Sequence, residues 1–256
     1  TTEIYTLSLH DALPICLGAG IKSTATEEIN TTVNQCMQNG EVYVKQNGNK
    51  SHVSVGSTVS YSGRLEWVYH NRIAYYFPDG GNMNLNSAPQ SGTWYSIATT
   101  ESKTDVTSNV FKLWFNHGIM PDQAKYEYII VPNKTLAQTR NYNMSDIVIA
   151  ANDADMQVVF NKKLKLWGMV FYKGTTFSND DFSISVDAPC VLMIENSGTA
   201  LIRGWLADPS QNSSSVRINY TSKSSGYKDD IDLQLPEKPY AGSTVTFSIH
   251  KTSRNN

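Results

Sequence analysis

Cysteine is scarce in this chain: Cys16, Cys36 and Cys190 are the only three in 256 residues. No two of them form a CxxC pair, which argues against a zinc site. Their odd number and wide spacing leave buried thiols as the default reading. A surplus of one charge is missing too. The 21 Lys and Arg nearly balance the 23 Asp and Glu, for a net charge of -2. Without a long Lys/Arg run the chain has no built-in attraction for nucleic acid, and an anionic ligand must be held by local positive charge. Long apolar runs are also lacking. The longest, such as YIIVP at 128–132, are strand-sized and far short of the roughly 20 residues that span a bilayer. No amphipathic helix of three turns is legible, and no residue set calls for a cofactor.

What is present is a globular composition, 40% hydrophobic and 17% charged, with aromatics at 11%. Its periodicity is two. In VFKLWFNH (110–117), Phe111, Leu113 and Phe115 fall on one face, and Lys112 and Asn116 on the other. In TVTFSIHK (244–251), Val245, Phe247 and Ile249 alternate with Thr244, Thr246, Ser248 and His250. In SVRINYT (215–221), Val216, Ile218 and Tyr220 oppose Arg217 and Asn219. Such alternation marks strands with one buried face. About sixteen segments of this kind are separated by turn signals. These include Asn47-Gly48, Asp79-Gly80-Gly81, Asn196-Ser197-Gly198 and Ser225-Gly226, where Gly and Asn supply positive φ at little cost. The expected fold is all-β, built of packed antiparallel sheets.

Residues 1–15, TTEIYTLSLHDALPI, translate codon for codon from a common short-read sequencing adapter. They are set aside from fold reasoning as an artefact, and with them the His10-Asp11 pair. The natural sequence is then expected to start mid-gene near Cys16. A boundary is expected near Pro132-Asn133, before the polar stretch NKTLAQTRNYN. This gives one sandwich unit over 16–133 and a smaller one over 136–256.

Four stretches, in order, resemble polysaccharide lyase family 8. They are CLGAGIKSTATEEINTTVNQC (16–36), WVYHNRIAYYFPDGGNMNL (67–85), QSGTWYSIA (90–98) and VFKLWFNHGIMPDQAKYEYIIVPN (110–133). The remainder, 136–256, resembles the family's small C-terminal sandwich. The wording is closer to chondroitin lyases than to xanthan lyases. The resemblance implies a helical toroid, then a β super-sandwich, then a smaller sandwich. It implies β-elimination next to a uronic acid in chondroitin, hyaluronan or a related polymer. That reaction needs the uronate carboxylate neutralised, a base for the C5 proton and an acid for the leaving oxygen. In the family these roles fall to an Asn, a His, a Tyr and an Arg of the toroid, with a supporting Glu from the early super-sandwich. None of them maps onto a residue here. The expectation is a secreted bacterial lyase fragment that lacks the catalytic set and forms a wall of the cleft, with the glycosaminoglycan and the toroid as its partners. The rival reading is a stand-alone carbohydrate-binding sandwich.

Candidate contacts are few. Trp94 follows a Gly in a loop and offers a ring for a sugar to stack on. Arg72 and Arg64 bracket the same strand pair and are candidates to meet a sulfate or uronate, although a solvated surface charge explains them as well. His70, at a strand end, titrates near neutrality, but a turn histidine bonded to backbone explains it as well. His117 reads as a structural residue bonding loop backbone. The Asn152, Asp153, Asp155 group, Asn179-Asp180-Asp181 and Asp229-Asp230 read as turns, not as a metal site.

Overall fold

The computed structural model describes residues 13–196 and 201–250, and both His10-Asp11 and most of the Asn196-Ser197-Gly198 turn lie outside them. Among the described residues are twenty strands, one α-helix of five residues and one 3-10 turn. The chain divides into two compact units between Tyr142 and Asn143.

The first unit holds β1 (Ile15–Ile21), β2 (Glu28–Met37), β3 (Val42–Gln46), β4 (Asn49–Val53), β5 (Ser57–Tyr61), β6 (Leu65–His70), β7 (Ile73–Tyr76), β8 (Met83–Thr93), β9 (Asp105–Ile119) and β10 (Ala124–Val131). They form a six-stranded sheet in the order β1-β10-β7-β6-β3-β4 and a four-stranded sheet, β2-β9-β8-β5. Every pairing is antiparallel. One core joins the two sheets. Val42, Val44, Val68 and Tyr75 come from the first, and Leu85, Phe111, Leu113 and Phe115 from the second. The alternation in β9 is as expected, with Phe111, Leu113 and Phe115 buried and their neighbours turned outward.

β1 begins at Ile15, within the adapter-like stretch, and the Pro14 carbonyl accepts from Ile130 N–H. Backbone ladders are blind to side chains, so the pairing of β1 with β10 runs on into the residues that precede Cys16. The polar stretch after Pro132 carries α1 (Leu136–Arg140), started by a reciprocal cap between Thr135 and Gln138. The buried Tyr76 hydroxyl donates to the Thr139 carbonyl, which ties α1 to the first unit.

The second unit holds β11 (Ile147–Asn152), β12 (Met156–Asn161), β13 (Leu166–Phe171), β14 (Thr175–Ser178), β15 (Phe182–Val186), β16 (Cys190–Asn196), β17 (Leu201–Ala207), β18 (Ser215–Ser222), β19 (Lys228–Gln234) and β20 (Val245–His250). A six-stranded sheet, β11-β12-β13-β16-β17-β20, and a four-stranded one, β14-β15-β18-β19, share a core around Trp167, Phe182, Ile218 and Ile249. The chain is thus all-β, two antiparallel sandwiches in succession.

Twenty strands stand where alternation marks about sixteen segments, because strands such as Asn49–Val53 expose four of five residues and carry almost no apolar signal. Asp229-Asp230 is a correction of the same kind. It lies within β19, not in a turn, and Asp230 accepts from the Asn219 amide at 2.6 Å. The other two acidic groups do form turns, with Asp153 Oδ1 and Asn179 Oδ1 each accepting two backbone N–H bonds. Of the cysteines only Cys190 is fully buried, which pushes its thiol up to about 12; Cys16 and Cys36 are half-buried, and all three are free.

Gly204 in β17 pairs with Phe247 in β20, and a Cβ built on it would sit 2.1 Å from the Phe247 ring. The ring fills the space that glycine leaves. Gly204→Ala is therefore expected to destabilise the protein by about 1–3 kcal/mol through overpacking. Urea unfolding measures this, and an unchanged midpoint would refute the packing argument.

Candidate functional site

The β8–β9 hairpin is longer than its neighbours. Its pairs run from Met83↔Phe115 to Thr93↔Asp105. β5 flanks β8 only as far as Ser87, and β2 flanks β9 only from Val110 onward. The five pairs from Pro89↔Asn109 to Thr93↔Asp105 thus form a two-stranded ribbon, about 17 Å long at the usual strand rise. Pro89 falls just past β5, where no ladder partner is left on that side of β8.

At the tip, Trp94–Ser96 forms a 3-10 turn capped by Thr93, whose hydroxyl accepts from Ser96 N–H at 3.3 Å. Trp94 is 58% exposed and Ile97 79%. Lys103 Nζ lies 4.5 Å from the centre of the Tyr95 ring, a cation held on an aromatic face. An indole, a phenol and an ammonium group at one tip can meet the apolar face of a pyranose and an acidic substituent together. Lys103 went unremarked in the sequence because its partner ring lies eight positions away across a loop.

Arg72 occupies the β6–β7 turn with Asn71, both at positive φ. It is exposed, and its Nη2 donates to Asn133 Oδ1 at 2.6 Å. His70, two residues earlier, is 1% exposed. Its Nε2 accepts from Asn39 N–H at 3.1 Å, its Nδ1 lies 3.9 Å from Cys36 Sγ, and its ring stacks on Phe111 at 4.3 Å. Burial holds its pKa below the ordinary histidine value. No hydrogen bond, ion pair or ring contact among the described residues joins Trp94, Arg72 and His70. His117 Nε2 meets the Thr31 hydroxyl at 2.8 Å, a side-chain partner where loop backbone was expected.

A second group mixes the residue types of proton-transfer chemistry. Tyr43 packs against His52 with ring centres 5.3 Å apart, and the Arg140 guanidinium lies 6.0 Å from the Tyr43 ring. The Tyr43 hydroxyl, however, donates to the Glu41 carboxylate, which raises its pKa above the ordinary tyrosine value. A phenol that must take a proton from carbon needs the opposite shift. Glu41 and His52 are both exposed.

The match to polysaccharide lyase family 8, super-sandwich domain, covers residues 8–143, and that to the family's C-terminal β-sandwich domain covers 148–217. Chondroitinase-AC of Pedobacter heparinus is 35% identical over 234 residues, which span 90% of this chain and 33% of that protein. Xanthan lyase of Bacillus sp. (strain GL1) is 28% identical over 248 residues, spanning 92% and 26% respectively. A solved chondroitinase AC lyase, from a study of enzyme–oligosaccharide complexes, superposes with a TM-score of 0.83 at 33% identity, over 91% of this chain and 34% of that one. Paenibacillus xanthan lyase shares the fold at a TM-score of 0.75 and 22% identity, over 94% of this chain and 26% of that one. The chain spans about a third or less of the length of these relatives.

Proposed function

The chain belongs to polysaccharide lyase family 8, and from that premise we propose that it is the sandwich scaffold of a secreted bacterial lyase acting on chondroitin sulfate or hyaluronan. The match to the super-sandwich over 8–143, followed by that to the C-terminal sandwich over 148–217, carries this reading. The reacting Asn, His, Tyr and Arg belong to a helical toroid that precedes this region, and the chain walls the cleft without doing the chemistry. The His52, Tyr43 and Arg140 group supports that view, since the Tyr43 hydroxyl donates to Glu41 and its pKa is raised, the opposite of what a base needs. The ribbon tip with Trp94, and Arg72 at its turn, supply the substrate contacts. His70 contributes from inside the wall by holding the Asn39 backbone. Among the described residues no helix is long and apolar enough to cross a membrane.

The test is turnover. The 256-residue chain is expected to give no unsaturated product, followed by ultraviolet absorbance, from chondroitin sulfate or hyaluronan. The product of the uninterrupted gene is expected to give it readily. Robust turnover by the chain alone would overturn the assignment of the chemistry to the toroid. A stand-alone carbohydrate-binding protein is the second reading, favoured by the exposed indole at the ribbon tip. An uninterrupted gene that encodes no toroid would establish it.

A further inference from the structure

The outward face of the β2-β9-β8-β5 sheet is polar, with one indole at its centre. Lys112, Trp114 and Asn116 alternate with the buried Phe111, Leu113 and Phe115, so they point away from the core. The register sets Ser60, Asn84 and Trp114 side by side across three strands, and sets Thr58, Asn86 and Lys112 side by side in the next outward row. Neighbours in such rows are within side-chain contact. Lys112 Nζ lies 4.8 Å from the centre of the Trp114 ring. Beside the Ser60–Asn84 row the face opens into a cleft of about 460 Å³ whose lining includes Glu28, Ser60, Ser62, Asn82, Asn84 and Asn116.

The polar groups of the cleft are mostly uncommitted. Asn116 Oδ1 accepts from Gly118 N–H at 2.8 Å. The side chains of Ser60, Ser62, Asn82 and Asn84 make no hydrogen bond to another described residue. Hydroxyls and amides both donate and accept, as the hydroxyls of a sugar require. An indole offers a flat apolar surface with a polar edge, suited to a pyranose ring. The ammonium of Lys112, held over one face of that indole, adds a counter-charge for an acidic substituent. Glu28, in the cleft, repels an anion there and leaves the Lys112 end as the place for the acid group.

We propose that this face binds an acidic oligosaccharide, with a pyranose ring on Trp114, its carboxylate or sulfate at Lys112, and a neighbouring sugar in the amide-lined cleft. The site is separate from the ribbon tip, because Trp114 sits where β2 and β5 flank the hairpin and Trp94 lies beyond them. Only the choice of a uronate polymer rests on the lyase reading.

The experiment is affinity electrophoresis and calorimetry of the whole chain with hyaluronan and chondroitin sulfate oligosaccharides, and with dextran as a neutral control. Binding to the acidic polymers is expected. Trp114→Ala is expected to weaken it about tenfold or more, the loss of one aromatic anchor. Lys112→Met, a surface change that leaves the core intact, is expected to weaken it and to flatten its dependence on salt. Tyr240→Ala, far from this face in sequence and 70% exposed, is expected to bind as the parent does. Unchanged circular dichroism accompanies each variant. Failure of the chain to bind either acidic polymer would overturn the proposal. So would equal affinity for dextran, unchanged binding by both Trp114→Ala and Lys112→Met, or loss of binding when the uninterrupted gene product replaces the chain. Turnover by that longer product is read separately, so failure here leaves the lyase reading standing, and failure there leaves the binding face standing.

Discussion

Phe111→Ala is expected to cost about 3–5 kcal/mol of stability, the range for emptying a buried aromatic site. Phe111 is fully buried in β9. On one side its ring stacks on His70 at 4.3 Å, and on another it meets Tyr75 at 6.3 Å. Removing the ring opens a void against two groups that are anchored elsewhere. His70 is fixed by the Asn39 N–H, and the Tyr75 hydroxyl accepts from the Asn34 amide at 2.6 Å. Neither can move in to fill the space without giving up its bond. Burial already raises the Tyr75 phenol to about 12. The same strand carries the ribbon at one end and Lys112 and Trp114 on its outward face, so both candidate contact regions rest on this packing. Urea unfolding of the variant measures the effect, and Phe111→Leu, which keeps much of the volume, is expected to lose less. A loss under about 1 kcal/mol for the alanine variant would contradict the packing described.

Asp208→Ala comes next, at about 2–4 kcal/mol near neutral pH. Asp208 is 2% exposed and follows β17. Burial alone would raise its pKa. The Ser210 hydroxyl at 2.6 Å and the backbone N–H groups of Ser213, Ser210 and Asn212 at 2.8–3.0 Å outweigh it and bring the carboxyl down to about 2. A folded pKa below the unfolded one means that the carboxylate stabilises the fold at pH above about 4. That contribution is lost as pH falls from about 4 to 2, and it amounts to about 2 kcal/mol. Glu66 and Asp232 are also depressed, so the parent's own acid slope mixes several groups. The difference between parent and Asp208→Ala isolates this one. It is expected to be large at pH 7 and to shrink at pH 2.5. A difference that stays constant with pH would mean that the loop, not the ionised carboxylate, supplies the stability.

Much of the architecture is legible in the sequence. Period-two alternation placed Phe111, Leu113 and Phe115 inward, and the same pattern held for Val216, Ile218 and Tyr220 in β18. The turns at Asn47-Gly48 and Gly80-Gly81 were legible because only a few residue types accept positive φ. Asn49–Val53 and Lys228–Gln234 were harder to read, since a strand whose outward residues are all polar differs little from a loop in composition. His70 shows the same limit at a single residue. Its neighbours in sequence suggest a turn, but the three groups it meets, Asn39, Cys36 and Phe111, lie 31 to 41 positions away.

By itself the sequence determined the all-β class, the faces of its strands and the family, because alternation and turn chemistry are local and each element repeats them. Tertiary structure alone decided which polar side chains gather. Cross-strand register put Trp114 beside Asn84 and Ser60, and the unequal lengths of β5, β8, β9 and β2 turned one hairpin into a projecting ribbon. Register and relative length are set by how distant strands pair across the core, and a linear order of residues carries no record of that pairing.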